Sequence, residues 1–270
     1  MPFDTSTGNL VKNLRAFLQT DQASWAREPG IRVLWNQVTE ADNPKQQQQL
    51  APAEQKTCRG LGSSKYVARE VLRHIIENKF CPDAVAQGTL DKDSGSIMRR
   101  YNEKTMEEAI IAIDYRPGLD FKLNQSDCVR YLLGDITDGC DGNDPANPEN
   151  YKGGGSIRVS EVNYRIEPQT LRQPASKGKQ GGCSTTWQAL FNDNWVWGHG
   201  FESDDWGAAL KAQLQICALL PGTWDFQYGL GSDGREWTAK FRTGIWQRGC
   251  VGHAGQRAGA PSGFGCSGTG

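Results

Sequence analysis

The sequence predicts an α+β protein built as a disulfide-linked helix/antiparallel-sheet sandwich lobe followed by a second β-rich, Trp/Gly-rich lobe with one helix. Three observations carry this. Eight cysteines, an even number with no C-x-x-C pair, are spread across 270 residues. Two amphipathic helical stripes lie among strand-like runs in the middle of the chain. Nine tryptophans and 32 glycines are present, most of the tryptophans and more than half of the glycines in the last third. That composition suits short strands separated by tight turns.

Along the chain, residues 1–57 read as a helical N-terminal extension and polar linker. Leu10, Val11, Leu14, Phe17 and Leu18 follow helical spacing. The tract from Glu40 to Gln49, with four consecutive glutamines, breaks any core pattern, so 40–55 reads as an exposed loop. The first lobe is placed at 58–168. It opens on Cys58-Arg59-Gly60, after which Ser63 or Ser64 can cap a helix striped by Val67, Val71, Leu72, Ile75 and Ile76 and halted at Pro82.

The apolar run inside 101–115 predicts a buried strand, and Asn124 or Ser126 caps a second helix closing at Gly139-Cys140. Residues 156–166 mostly alternate apolar with polar, as a strand with one face on a core does. Residues 168–182 lack periodicity and collect Pro, Lys, Gln and Gly, which predicts a boundary. The second lobe, 183–270, offers strands around Thr185–Trp187, Trp195–Trp197, Trp224–Tyr228 and Glu236–Phe241. The last two are joined by a turn over 229–234, and a helix is expected from Asp205 to Leu220.

The cysteine pattern favours four disulfides over a thiolate metal site, which wants short-spaced pairs. Cys58, Cys81, Cys128 and Cys140 fall in the first lobe, and Cys183, Cys217, Cys250 and Cys266 in the second. Bridges confined to each lobe are expected. Persistent disulfides imply an oxidising, extracellular location. Met1-Pro2-Phe3-Asp4 has neither a basic region nor an apolar stretch, so the start reads as one left after leader removal or as that of a cytosolic chain. The cysteine count favours the former. Apolar runs reach only five residues, as in Ile216–Leu220, against the ~20 that span a bilayer, so no transmembrane segment is expected. Thirty basic and 31 acidic residues leave a net charge of −1 and no overall field for nucleic acid.

Three stretches resemble the region that follows the catalytic barrel in secreted fungal family 18 chitinases and in related stand-alone secreted fungal proteins. They are Cys128–Asp144, the strand region 154–168, and the series Trp187, Gly198-His199-Gly200-Phe201, Asp205-Trp206-Gly207, Trp224-Asp225-Phe226, Glu236-Trp237, Ile245-Trp246, Cys250 and Gly265-Cys266-Ser267-Gly268. The first half, from Cys58-Arg59-Gly60 through Tyr164, is distantly similar to the α/β-sandwich killer toxins of fungi. The DxxDxDxE signature of the chitinase barrel is absent, so the resemblance transfers no catalytic residue. It implies a secreted protein acting at a wall or surface.

Glu202 and Asp205, with Asp204 between them, and Glu236 beside Trp237 could supply the carboxyl pair that glycoside hydrolysis needs. The plainer reading is a helix start, with Asp204 and Asp205 favouring its dipole, and a solvated strand glutamate. His199, between two glycines, is expected to be exposed. His74 reads as structural, and His253 lies in a Gly-rich tail without partners. The loop Asp138–Asp144 offers oxygen donors but not the spacing of a calcium loop, and a helix-terminal turn is the better reading. No metal site and no cofactor are expected. Asn124-Gln125-Ser126 is an N-glycosylation sequon.

Most tryptophans should be core, but Trp197, Trp206, Trp237 and Trp246 are the candidates for stacking on sugar rings. The sequence therefore suggests a secreted fungal toxin- or effector-like module that binds a cell-wall polysaccharide such as chitin or β-glucan, or a target cell surface, without catalysis. A glycan-cleaving hydrolase or lyase, and an accessory module of chitinases, are the alternatives.

Overall fold

Two five-stranded sheets, each covered on one face by helices, and one small two-stranded ladder make up the part of the chain that the computed structural model describes, residues 54–87, 95–119 and 122–269. The expected helix at 10–18 and most of the polar tract lie outside the described residues. Residues 54–57, assigned above to the linker, are instead paired. Strand β1 (Glu54–Cys58) is an edge strand whose five residues pair with β6 (Gly155–Val159). It is exposed throughout and carries Glu54 and Lys56, as suits an edge.

The first sheet runs β1-β6-β7-β4-β3, with β3 at Ser96–Tyr101, β4 at Ala109–Tyr115 and β7 at Val162–Pro168. All its pairs are antiparallel; outside it, β2 (Val67–Ala68) and β5 (Tyr151–Lys152) pair in a short antiparallel ladder of their own. The region read as one strand over 156–166 is the β6–β7 hairpin. Ser160, at φ +55°, turns the chain, and the inward set changes from Ile157 to Val162, Tyr164 and Ile166. The shift from odd to even positions is what a two-residue turn produces.

One face of this sheet packs on helices. Helix α1 (Arg69–Ile75) passes through a π-helical turn, Ile76–Phe80, into α2 (Cys81–Ala86). Pro82 does not stop the chain here, because the wide turn already interrupts the i→i−4 ladder where its missing N–H would have counted. The cap is not a serine. Ala68 occupies the N-cap, and its N–H donates to Glu107 Oε2 at 2.7 Å. Helix α3 (Gln125–Val129) is capped as expected by Asn124, whose Oδ1 accepts from Asp127 N at 2.8 Å, and it widens into a π-helical stretch ending at Gly139. Leu72, Ile76, Phe80, Leu132 and Ile136 meet Ile111, Ile113 and Ile166 in a dry core.

The second sheet runs β10-β11-β9-β8-β12: β8 is Gln180–Trp187, β9 Asn192–His199, β10 Asp225–Tyr228, β11 Trp237–Thr243 and β12 Cys266–Gly268. Only the β12–β8 pair in it is parallel. Helix α4 is shorter than expected, Ala208–Leu214, and a 3₁₀ turn carries it to Cys217. Helix α5 (Arg248–Arg257) was not foreseen, since its three glycines disfavour a helix by about 1 kcal/mol each relative to Ala. At Gly255 an added Cβ would lie 2.4 Å from the Phe264 ring, so tight packing selects the glycine there. Leu210, Leu214, Val251 and Ala254 pack on Val196, Trp237, Ala239 and Phe241.

Four disulfides join Cys58 to Cys140, Cys81 to Cys128, Cys183 to Cys266 and Cys217 to Cys250, using all eight cysteines. None crosses from one sheet's half to the other's.

Candidate functional site

The second sheet turns Val196, Trp237, Ala239 and Phe241 toward its helices, so the alternate residues of β8, β9 and β11 form an open face. Register places Ser184, Trp195 and Lys240 in one row across this face and Gly182, Trp197 and Thr238 in the next. Two shallow clefts of about 470 and 640 Å³ lie along it. They share Trp195 and Lys240, so the half-buried indole stands at the middle of one continuous groove. Arg235, from the turn between β10 and β11, stacks its guanidinium 5.3 Å over the Trp195 ring. Hydroxyls of Ser184, Thr186, Thr223 and Thr238 supply donors and acceptors on both sides.

Of the tryptophans proposed from sequence, Trp197 belongs to this face. Its indole lies on Gly182, where an added Cβ would come within 2.6 Å of the ring. Trp206 is 46% exposed but stands apart, edge-on to Tyr228 at 5.0 Å. Trp246 is 86% exposed on the turn after β11, beyond the groove. Trp237 has no exposed surface, and its Nε1 donates to Phe201 O at 2.6 Å, so it is core and offers no face to a sugar. Trp195 was missed, although its i, i+2 spacing from Trp197 on an alternating strand puts both on one face.

The carboxylates behave differently from one another. Glu236, expected to be solvated, is fully buried, as is His199, expected to be exposed. Arg172, from the segment expected to be a linker, donates to Glu236 through Nε at 3.0 Å and Nη2 at 2.9 Å, and through Nη1 to Glu107 at 2.6 Å. Its guanidinium lies over the neighbouring rings of Tyr66 and Tyr151, at 4.7 and 5.0 Å. His199 Nδ1 sits 3.0 Å from Glu236 Oε1, within reach of the carboxylate but off the line of a hydrogen bond. Burial alone would raise the Glu236 carboxyl, but His199 and Arg172 hold it at about 2. With Glu107, burial outweighs Arg172 and the carboxyl is pushed up. This cluster is a seam between the two halves, closed to any substrate.

Glu202, at φ +51°, is pushed up to about 8 by burial, with Asp205 and Asp204 adding like charge. Its Oε2 accepts from Leu210 N at 3.1 Å, while Asp205 accepts from Gly207 N and Ala209 N at 2.9 and 2.8 Å. Both therefore serve the start of α4. Asp138 is held by Arg69 through two bonds, at 2.7 and 2.8 Å, as part of a helix-terminal turn. Among the described residues no three His, Cys, Asp or Glu side chains are placed to hold a metal ion, and no helix is long and apolar enough to cross a membrane. Asn124 is exposed at the surface.

Comparison with known families divides the chain at the seam. Residues 52–169 match a family described as "Putative glycan binding domain", and residues 179–270 match the "Fungal ACT-like domain". Each covers less than half of the chain. A search of curated proteins finds no match. Among solved structures, the tandem DUF26 ectodomain of the Arabidopsis thaliana cysteine-rich receptor-like protein PDLP8 aligns at 11% identity over 72% of this chain and 98% of that one. The TM-score is 0.24, and nothing is carried over from it.

Proposed function

We propose that this protein binds glycans without cleaving them, and that the groove centred on Trp195 is its binding surface. The observation that carries the reading is the single half-buried indole lining both clefts of an open sheet face, among hydroxyl and charged side chains. An aromatic face with convergent polar groups is the chemistry that recognises a sugar ring. The glycan-binding match to residues 52–169 supports the functional class. Four disulfides support an oxidising, extracellular setting. A wall- or surface-directed role, toxin- or effector-like or accessory to chitinases, extends the same reading, as does a glycan on Asn124.

A second reading places the sugar in the first half, because the family match falls there. A cleft of about 560 Å³ lined by Leu61, Ser64, Asp141, Asp144, Asn147 and Ser176 is the seat it would use. Retention on a panel of wall polysaccharides separates the two. Loss in Trp195→Ala with no change in Ser176→Trp, which fills the second cleft, supports the groove, and the converse supports the cleft. Retention on no polysaccharide overturns both.

A further inference from the structure

The charges along the Trp195 groove are unlike those of the whole chain. Lys240, Arg235 and Arg242 line it against one acidic side chain, Asp193, whereas the protein's net charge is −1. Two of these cations are already partnered. Arg242 meets Asp193 at 2.9 Å and Arg235 meets Asp233 at 3.3 Å. Lys240, shared by both clefts and exposed, makes no ion pair among the described residues. Its cross-strand neighbour Asp225 is instead in contact with the Gln227 amide at 3.4 Å. Beside Lys240 in the same row stands Trp195.

A neutral β-glucan or chitin chain needs hydroxyl partners and an aromatic face but has nothing to neutralise an ammonium. We propose that the groove takes an acidic saccharide, a glycan whose rings carry carboxylate, sulfate or phosphate groups, with the ring against Trp195 and the anionic substituent at Lys240. The inference rests on the glycan-binding reading above and narrows it from neutral wall polymers to charged ones. Arg235 and Arg242 are each already held by an aspartate, so the anionic substituent is read at Lys240, while Arg235 keeps its guanidinium stacked on the Trp195 ring. Because the contact is exposed, added salt should weaken it as the Debye length falls from about 10 Å at 0.1 M ionic strength toward about 3 Å at 1 M.

Affinity electrophoresis of the full chain through gels containing polygalacturonate, dextran sulfate or phosphomannan tests this, with laminarin and chitohexaose as neutral sugars and poly-L-glutamate as a polyanion without rings. Retardation is expected on one or more of the acidic polysaccharides, and which one responds names the anion. The neutral sugars and polyglutamate should retard the protein far less. Lys240→Gln should weaken binding about fivefold, the upper end for one exposed ion pair, while Lys240→Arg keeps it. Trp195→Ala should cost about tenfold or more. Near-UV circular dichroism confirms the fold of each variant. Equal binding of neutral sugars, unchanged in Lys240→Gln, overturns the acidic class and leaves glycan binding standing. Equal retardation by polyglutamate shows that charge alone acts and overturns the inference. No retardation by any polysaccharide overturns both readings.

Discussion

Arg172 holds Glu236 through hydrogen bonds of 3.0 and 2.9 Å, and neither side chain reaches solvent. The same guanidinium reaches Glu107, on the loop before β4, so one residue of the connecting segment joins the two sheets' halves. Removing one member of a buried ion pair leaves an uncompensated charge, which costs about 3–5 kcal/mol. Arg172→Ala is therefore expected to lower the melting temperature sharply, and Arg172→Lys to rescue it only in part, since an ammonium cannot make the two-pronged contact. Thermal denaturation checks this, and a double-mutant cycle with Glu236→Gln should show strong coupling. Additive effects would refute the seam as the join.

Stability should also depend on pH in two opposed ways. Glu236, held at about 2, contributes stability that is present above its unfolded pKa of about 4.3 and lost as pH falls toward 2. Glu202, pushed up to about 8 by burial, contributes stability that is full below about 4.3 and lost as pH rises through 8. Glu107, also raised by burial, acts in the same sense as Glu202. Melting temperature should therefore peak near pH 4–5 and decline toward neutral and alkaline pH. Glu202→Gln should flatten that decline, because an amide keeps an acceptor for Leu210 N and does not ionise. A peak at or above pH 8 would contradict the assignment.

The disulfide Cys217–Cys250 ties the end of α4 to α5, a helix whose glycines give it little intrinsic stability. Closing a loop of 33 residues is worth about 4 kcal/mol in the chain-entropy account. Cys217→Ser with Cys250→Ser should lower stability by that order and expose the amides of 248–257 to hydrogen exchange first. Uniform loss of protection across both sheets would show instead that the bridge holds the whole fold.

Much of this architecture was legible because it rests on local signals. Asn124 capped its helix, and the alternation of 224–228 and 236–241 marked the hairpin that the structure forms at 225–228 and 237–243. What stayed hidden depended on distant partners. No local rule says that Ala68 can be a cap when Glu107 supplies the acceptor, or that Arg172 in a Pro- and Gly-rich segment will be buried between two carboxylates. The β6–β7 turn was readable in the change of phase between Ile157 and Val162. For the groove, Trp197 was visible as an aromatic strand residue, but Lys240 gains meaning only from sheet register, which sets it beside Trp195.

Gly182 and Trp197 face each other across β8 and β9, and the indole covers the glycine so closely that a methyl group at position 182 would come within 2.6–2.7 Å of three ring atoms. Since real Cβ atoms do not approach so near, Gly182→Ala must move the ring. Overpacking of this kind costs about 1–3 kcal/mol, and here the ring can swing outward, which favours the lower part of that range. Trp197 sits one row from Trp195 on the same strand, so the displaced indole would alter the groove wall rather than the core. The expected result is a modest fall in melting temperature with changed tryptophan fluorescence and weakened polysaccharide retention, while Trp197→Ala in the Gly182→Ala background restores the melting temperature. Full retention in Gly182→Ala would show that the Trp197 end of the face takes no part in binding and would confine the contact to the Trp195 row.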